Sequence, residues 1–370
     1  MTVQAIGVPA RWDNLYRRAV SSSADAVELL DGPRGRRLCW ELLEDLSGPA
    51  WRALWVGRSA GVADLARELG EMVARFDLVG LVATTSLRTV LLPALVRAID
   101  AAVYWQEPDG VDRALAAEPI GRTLEPVARA LVAAPAAAWW WSPIELEDRH
   151  EVDFVDPDAS PNPTADARSL LEKWRSDTVE DERRAAKRPS DPSAPWGGPW
   201  WSSPVLPGLT STTRSLPDVG PVGLFLVEDS LGWTRALTRR RVPTRGAGVF
   251  EITGPASWVE LVGNFPLSIT RSRWHDWWRV TGRADDWLMP DYRAAAEHYD
   301  ALHLTVAGYL STAGRVLPVT TDASTMLAGW GPDTTWWLTD LADASEPSVQ
   351  WDTADQNHPL AWAPTRRQSH

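Results

Sequence analysis

The chain has 370 residues, a net charge of −12 and a hydrophobic share of 44%, a globular composition whose length fits two domains of roughly 150 residues better than one core. The negative charge opposes general binding to nucleic acid or anionic lipid, and no stretch approaches the ~20 uninterrupted apolar residues that cross a bilayer. A single cysteine, Cys39, permits neither an internal disulfide nor a cysteine-based zinc cluster; with no basic segment leading into an apolar one at the N-terminus, a cytoplasmic protein is expected.

From Arg11 to about Pro135 apolar residues recur at helical spacing. Between Gly61 and Phe76, the residues Val62, Leu65, Leu69, Met72, Val73 and Phe76 form one stripe, and Asp64, Arg67, Glu68, Glu71 and Arg75 face away, as in an amphipathic helix. Ser86 to Trp105 is apolar on more than one face and reads as a central helix started or kinked by Pro93. Leu124, Val127 and Leu131 continue the pattern. A competing reading makes 53–57, 77–82 and 101–105 parallel strands, but these runs lack the β-branched density of buried strands.

Between Asp156 and Gly220 the composition changes. Turn-forming DPDASPNPTAD is followed by a charged helical segment, Ser169 to Arg188, and by PSDPSAPWGGPWWSSPVLPGL, too rich in proline, glycine and serine for regular structure. A flexible spacer has no use for Trp174, Trp196, Trp200 and Trp201, so part of this linker is expected to be pinned by those rings. AAAWWWSPIEL (136–146) and GPWWSSPVLPG (198–208) echo one another.

After Pro221 the period shifts. VGLFLVED (222–229) and GVFEIT (248–253) read as strands, and Gly254-Pro255 opens a short helix. PDYRAAAEHYD (290–300) reads as a second helix; ALHLTVAGYL, RVLPVTT, STMLAGW and TTWWLTD read as four short strands. Strands with intervening helices, then a run of strands, predict a mostly antiparallel sheet. Beyond Asp343 the chain reads as a loosely held polar tail.

Several patterns bear on chemistry. GRSAG (57–61) matches the nucleophile elbow around Ser59, but the strand and oxyanion loop that this chemistry needs are missing, and a helix stop followed by a new N-cap explains the same residues. RSRWHDWWRVTGR (271–283) packs four arginines, three indoles, His275 and Asp276 together; arginine forks bind carboxylate or phosphate, and indole faces stack on planar or cationic groups. Core filling by the indoles with snorkelling arginines is the plainer account. AEHYDALHLT brings His298, Tyr299, Asp300 and His303 close in sequence, an acid–base grouping whose spacing fits no standard metal pattern. Glu228, Asp229 and Glu251 stand at predicted strand ends, where acids are either solvated or paired for catalysis.

HLTVAGYLSTAGRVLP resembles the H-G-T strand and following elements of the ADP-ribosyltransferase group, with His303, Thr305, Gly308 and Leu310 at corresponding points. The likeness covers under twenty residues. Leu304 stands where that group has glycine, its intervening helix is missing and no catalytic glutamate is placed; the resemblance implies an NAD-consuming activity. PDYRAAAEHYDALHLTVAGYL with AGWGPDTTWWLTD also resembles uncharacterised actinobacterial proteins over roughly the last 120 residues, which implies no activity. A high-GC source agrees with only Lys173 and Lys187 being lysines among 37 basic residues.

The expected architecture is α+β: an N-terminal all-α bundle (1–155), a long Pro/Gly/Trp-rich linker, partly docked (156–220), an α+β domain with a mostly antiparallel sheet (221–343) and a polar tail (344–370). The expected role is that of a binding or accessory protein. Its Trp/Arg-rich C-terminal face, formed by Arg271, Arg273, Trp274, Trp277, Trp278, Arg279, Tyr299, Trp330, Trp336 and Trp337, would receive a protein partner or a small aromatic or anionic ligand. The alternative is an enzyme acting on a nucleotide-like or NAD substrate, with His303, His275 and Asp300 as catalytic residues. With no P-loop, dinucleotide glycine fingerprint or zinc motif, neither a cofactor nor a metal is expected.

Overall fold

The computed structural model describes residues 23–47, 61–78, 80, 87–155, 165–243, 246–340, 347–353, 355 and 360–365. The described elements are helical up to residue 141, and short strands interleaved with further helices follow, an α+β fold. Among the described strand pairs eight are antiparallel and two parallel. No described helix is long and apolar enough to cross a membrane. The ALWVG run and Ser59 lie outside the described residues; Gly61 is the N-cap of the helix Val62–Val73.

The helical part follows from its stripes. In Val62–Val73 the residues Leu65, Leu69, Met72 and Val73 are buried, whereas Val62, on the first turn, is 45% exposed. The expected central helix is a π-type turn, Leu87–Leu91, running into Leu92–Asp100 with Pro93 in its first turn, where proline lacks only a donor that would be orphaned anyway. The chain then turns, so 101–105 is not a strand. Charge is buried here as well: Arg37 Nε lies 2.6 Å from Glu41 Oε1 and its Nη1 2.9 Å from Asp109 Oδ2. Arg34 pairs with Asp112 and donates to the Ala98 carbonyl at 3.0 Å.

The helical part and the sheets share one apolar core. Its hinge point is the helix Val306–Thr312, buried at every position. The turn at Gly32 presses on it so closely that a Cβ would sit 2.0 Å from the Leu310 carbonyl oxygen. The sequence reads this stretch as a strand; only Ala301–Leu304 is one. Thr305 ends it by accepting the Gly308 N–H at 3.0 Å, an N-cap that turns the backbone into helix.

Residues 165–220, of linker composition, contribute ordered elements. Helix Ala167–Ala185 is capped by Asp166, which accepts from Ser169 N at 2.9 Å. It buries Leu170, Leu171, Trp174 and Thr178 on one face, with Trp174 5.1 Å from the Tyr292 ring. Its Glu182 accepts the Arg271 and Ser272 N–H groups at 2.7 and 2.8 Å, a carboxylate at the positive end of the helix Thr270–Thr281. After irregular residues 195–204, Ser211–Thr212 joins the sheet beside Thr335–Trp337.

That sheet has the order Ser211–Thr212, Thr335–Trp337, Ala301–Leu304, Val249–Ile252. A second sheet contains His150–Phe154, Arg235–Arg240, Val349–Thr353 and Trp362–Pro364 in that order. The supposed tail therefore supplies two strands: Trp351 and Trp362 give it apolar surface to bury, which its polar average conceals. VGLFLVED is not a strand. Val222–Leu224 is a 3-10 turn whose donors close locally, Phe225 and Leu226 N–H both reaching the Val222 carbonyl. A short continuous apolar run does not distinguish a buried strand from a buried turn.

A tryptophan-walled cavity as the candidate functional site

The residues expected to be catalytic are not brought together. His303 lies in a polar row that crosses its sheet, because the register aligns Glu251 with His303, His303 with Thr335 and Thr335 with Thr212. Arg149, Arg214 and Asp333 close the row. Asp333 Oδ1 is 2.6 Å from Arg214 Nε, and its Oδ2 is 3.1 Å from Arg149 Nη1. The His303 Nδ1 atom is 2.8 Å from Thr335 Oγ1. Every one of these side chains except Glu251 is sealed from solvent. Burial, reinforced by the two arginines and opposed by Asp333, pulls His303 down to about 3. Asp333 is held below its ordinary range by Arg149, His303 and Arg214 against the effect of burial. The row fastens the 139–149 segment to the sheet: Glu251 accepts the Ile144 N–H at 2.9 Å, and Arg214 lies over the Trp139 ring at 5.3 Å.

His275 is buried in Thr270–Thr281, lowered first by desolvation and then by Arg188 and Arg279. Asp300 accepts from Gly248 N–H at 2.9 Å and from the Thr339 hydroxyl at 3.2 Å, closing the ends of two strands. A pH consequence follows from His303. The folded state keeps it neutral while the unfolded chain takes a proton near 6.5, so its contribution is complete above that value and is lost as pH falls towards about 3. The His303 contribution, read as the difference in unfolding free energy between wild type and His303→Gln in urea titrations, should fall by up to about 1.4 kcal/mol per pH unit below 6.5, against the opposite contribution of buried Glu228. A difference that does not change with pH would show that other groups carry the pH dependence.

The Arg/Trp segment forms a helix that works as a buttress. Arg273 is buried and donates to the Trp201 carbonyl at 3.2 Å, and Trp277 Nε1 donates to the Trp200 carbonyl at 2.7 Å. Arg279 donates to the Trp105 and Trp196 carbonyls at 3.2 and 2.8 Å. Arg271 stays outside over the Trp274 ring, and Trp278 is half-buried. Arg273 and Arg279 are thus spent on backbone carbonyls, two of them in the 196–201 segment. Trp330 and Trp337 are core, the first edge-on to Trp258 and Tyr292, the second donating to Thr212 Oγ1 at 2.9 Å. Tyr299 packs on Phe250 and Phe265.

The buttressed segment walls a cavity of about 540 Å³. Trp200, Trp201, Trp233 and Trp336 line it with Phe154, Leu226 and Leu231, and polar atoms come from His150, Ser211, Thr213, Thr334, Glu228 and Asp229. Trp233 is stacked on Phe154 at 4.4 Å, and Trp200 and Trp201 meet edge to face at 5.9 Å. Gly329, at φ +73°, is required here, since a Cβ would lie 2.4 Å from Trp201 Cβ. Its N–H donates to Glu228 Oε2 at 2.6 Å. Asp229 accepts from Trp105 Nε1 at 2.8 Å, and His150 Nε2 is 3.0 Å from Asp148 Oδ1.

Of the residues expected to bind, Trp336 alone reaches this wall. Trp200 and Trp201 carried a signal, four indoles in a segment of spacer composition. Trp233 and Phe154, 79 residues apart, carried none. Glu228 and Asp229 line the cavity while Glu251 belongs to the His303 row, so the three strand-end acids do not form one group. Comparison with known protein families, curated proteins and solved structures finds no match for this chain.

Proposed function

We propose that the protein is a binding protein whose tryptophan-walled cavity receives a small, largely apolar or aromatic ligand. The observation that carries this reading is that four indoles line one void, with the helix Thr270–Thr281 holding the main-chain carbonyls of two of them. A concave apolar pocket with a few convergent polar groups is the usual form of a small-molecule site. Titration with the neutral fluorophore N-phenyl-1-naphthylamine tests it. Saturable binding, weakened at least tenfold by Trp336→Ala and unaffected by Trp274→Ala, is the expected result. Absence of saturable binding, or equal affinity in wild type and Trp336→Ala, would remove the reading.

One observation favours an enzyme. His150, oriented by Asp148, shares the cavity wall, as a general base beside a bound substrate would. This reading places the chemistry at His150 and not at the sealed His303. Turnover abolished by His150→Ala with binding retained would support it.

A further inference from the structure

The charge of the wall is one-sided. Among the described lining residues none is arginine or lysine, although the chain has 37 basic residues, and two, Glu228 and Asp229, are acids. The Glu228 Oε2 accepts the Gly329 N–H at 2.6 Å, and its Oε1 is out of reach of solvent on the side of the Tyr309 hydroxyl. Arg34, whose charge reaches it, is already committed to Asp112 and the Ala98 carbonyl. An acid placed among indoles without a cation of its own is costly when ionised, and costs less once a cation joins it. Indole faces attract cations through their quadrupole, an attraction that strengthens in a desolvated site.

Resting on the reading of this cavity as a ligand site, we propose that its ligand is an organic cation, an aromatic or alkyl ammonium, seated against the indoles of Trp200, Trp201, Trp233 and Trp336 with Glu228 as its counter-charge. An anionic ligand, which the arginines of 271–283 suggest in the sequence, would face Glu228 and Asp229 and, among the described lining residues, no guanidinium.

Burial pushes Glu228 up to about 8, against the Tyr309 hydroxyl, the Gly329 N–H and Arg34, with neighbouring Asp229 adding to the rise. The groups that face it from other elements are Tyr309, Tyr104 and Arg34, and both tyrosines are themselves pushed up by burial and stay neutral. His150, held by Asp148, is the remaining titratable group of the described wall. At pH 7 the carboxyl is protonated and must release its proton to pair with a permanent cation. Binding of such a cation therefore strengthens by up to about tenfold per pH unit towards 8 and levels off above it.

Three probes on one frame test this by calorimetry and tryptophan fluorescence: trimethyl(3-phenylpropyl)ammonium, 3-phenylpropan-1-ol and 3-phenylpropanoate. At pH 9 the ammonium should bind at least tenfold tighter than the alcohol, and the carboxylate weakest. The ammonium's advantage should shrink as pH is lowered from 8 to 7, with a proton released on binding. In Glu228→Gln, where the amide oxygen still accepts from Gly329, the advantage should vanish while alcohol binding persists. Should that variant not fold, the wild-type pH profile and proton release decide alone. The proposal is overturned if the alcohol or the carboxylate binds as tightly as the ammonium at pH 9, or if the preference survives in Glu228→Gln. If none of the three binds while N-phenyl-1-naphthylamine does, the cation proposal falls and the cavity reading stands; if the neutral fluorophore also fails, both fall.

Discussion

Asp333→Ala is expected to destabilise the protein by about 3–5 kcal/mol, the range found when one member of a buried ion pair is removed. Asp333 is 1% exposed and is shared by two guanidiniums, those of Arg149 and Arg214, which are themselves 0% and 4% exposed. Its Oδ2 also accepts the Arg214 N–H at 2.7 Å. Without the carboxylate Arg149 loses its ion pair while buried beside His303, and Arg214 is left with the exposed Glu145 at 3.6 Å. Backbone geometry adds to the loss, since Asp333 has φ 57°, a region that aspartate and asparagine tolerate and alanine resists. Asp333→Asn keeps the shape, one acceptor oxygen and the backbone preference, so it should cost less than Ala. Urea unfolding of the two variants checks this; a loss under about 1 kcal/mol for Ala would mean that the arginines find water or other acceptors. The cavity should respond too, because Gly331 and Thr334, either side of Asp333, line its wall.

The second large effect concerns Trp277. Its side chain is wholly buried, edge-on to Trp287 at 5.0 Å, and its Nε1 holds the Trp200 carbonyl. Trp277→Ala should cost about 3–5 kcal/mol as a large-to-small core substitution. Trp277→Phe separates packing from positioning, for it retains most of the ring contact and leaves the Trp200 carbonyl without its donor. We expect it to cost about 1–3 kcal/mol and to weaken N-phenyl-1-naphthylamine binding several-fold, although residue 277 does not line the cavity. If the Phe variant binds like wild type, the helix Thr270–Thr281 does not position the wall.

These two residues also show where reading the sequence succeeds and stops. RSRWHDWWRVTGR stands out by composition as the densest cluster of arginine and indole, and it does serve the site. Its service is indirect: arginine forks and an indole N–H meet main-chain carbonyls of residues 105, 196, 200 and 201. A donor's residue type does not announce whether its acceptor is a ligand or a loop. His303 and Asp300 are three residues apart and suited to acid–base chemistry, yet the strand Ala301–Leu304 carries His303 into the sealed row and leaves Asp300 just before its start, where it accepts from Gly248 and Thr339. Thr305 carries a cap signal, three residues before the Gly308 N–H that it binds, but in a run of apolar residues that signal competes with the appearance of a strand.

From the sequence alone came the α+β class, the helical stripe at Leu65–Leu69–Met72–Val73, the helix at Pro255–Asn264 and the strand at Val249–Ile252. Each rests on local spacing, capping or proline placement, forces that act within a few residues of one another. The tertiary structure alone decided the fate of the tryptophans among the described residues. Trp330 became core, Trp277 a prop, and Trp200, Trp201, Trp233 and Trp336 the walls of a void. An indole has the same propensity and the same hydrophobicity in all three places; what separates them is which surface folding brings opposite it. For Trp277 and Trp200 that surface lies 77 residues away, beyond the reach of any local pattern.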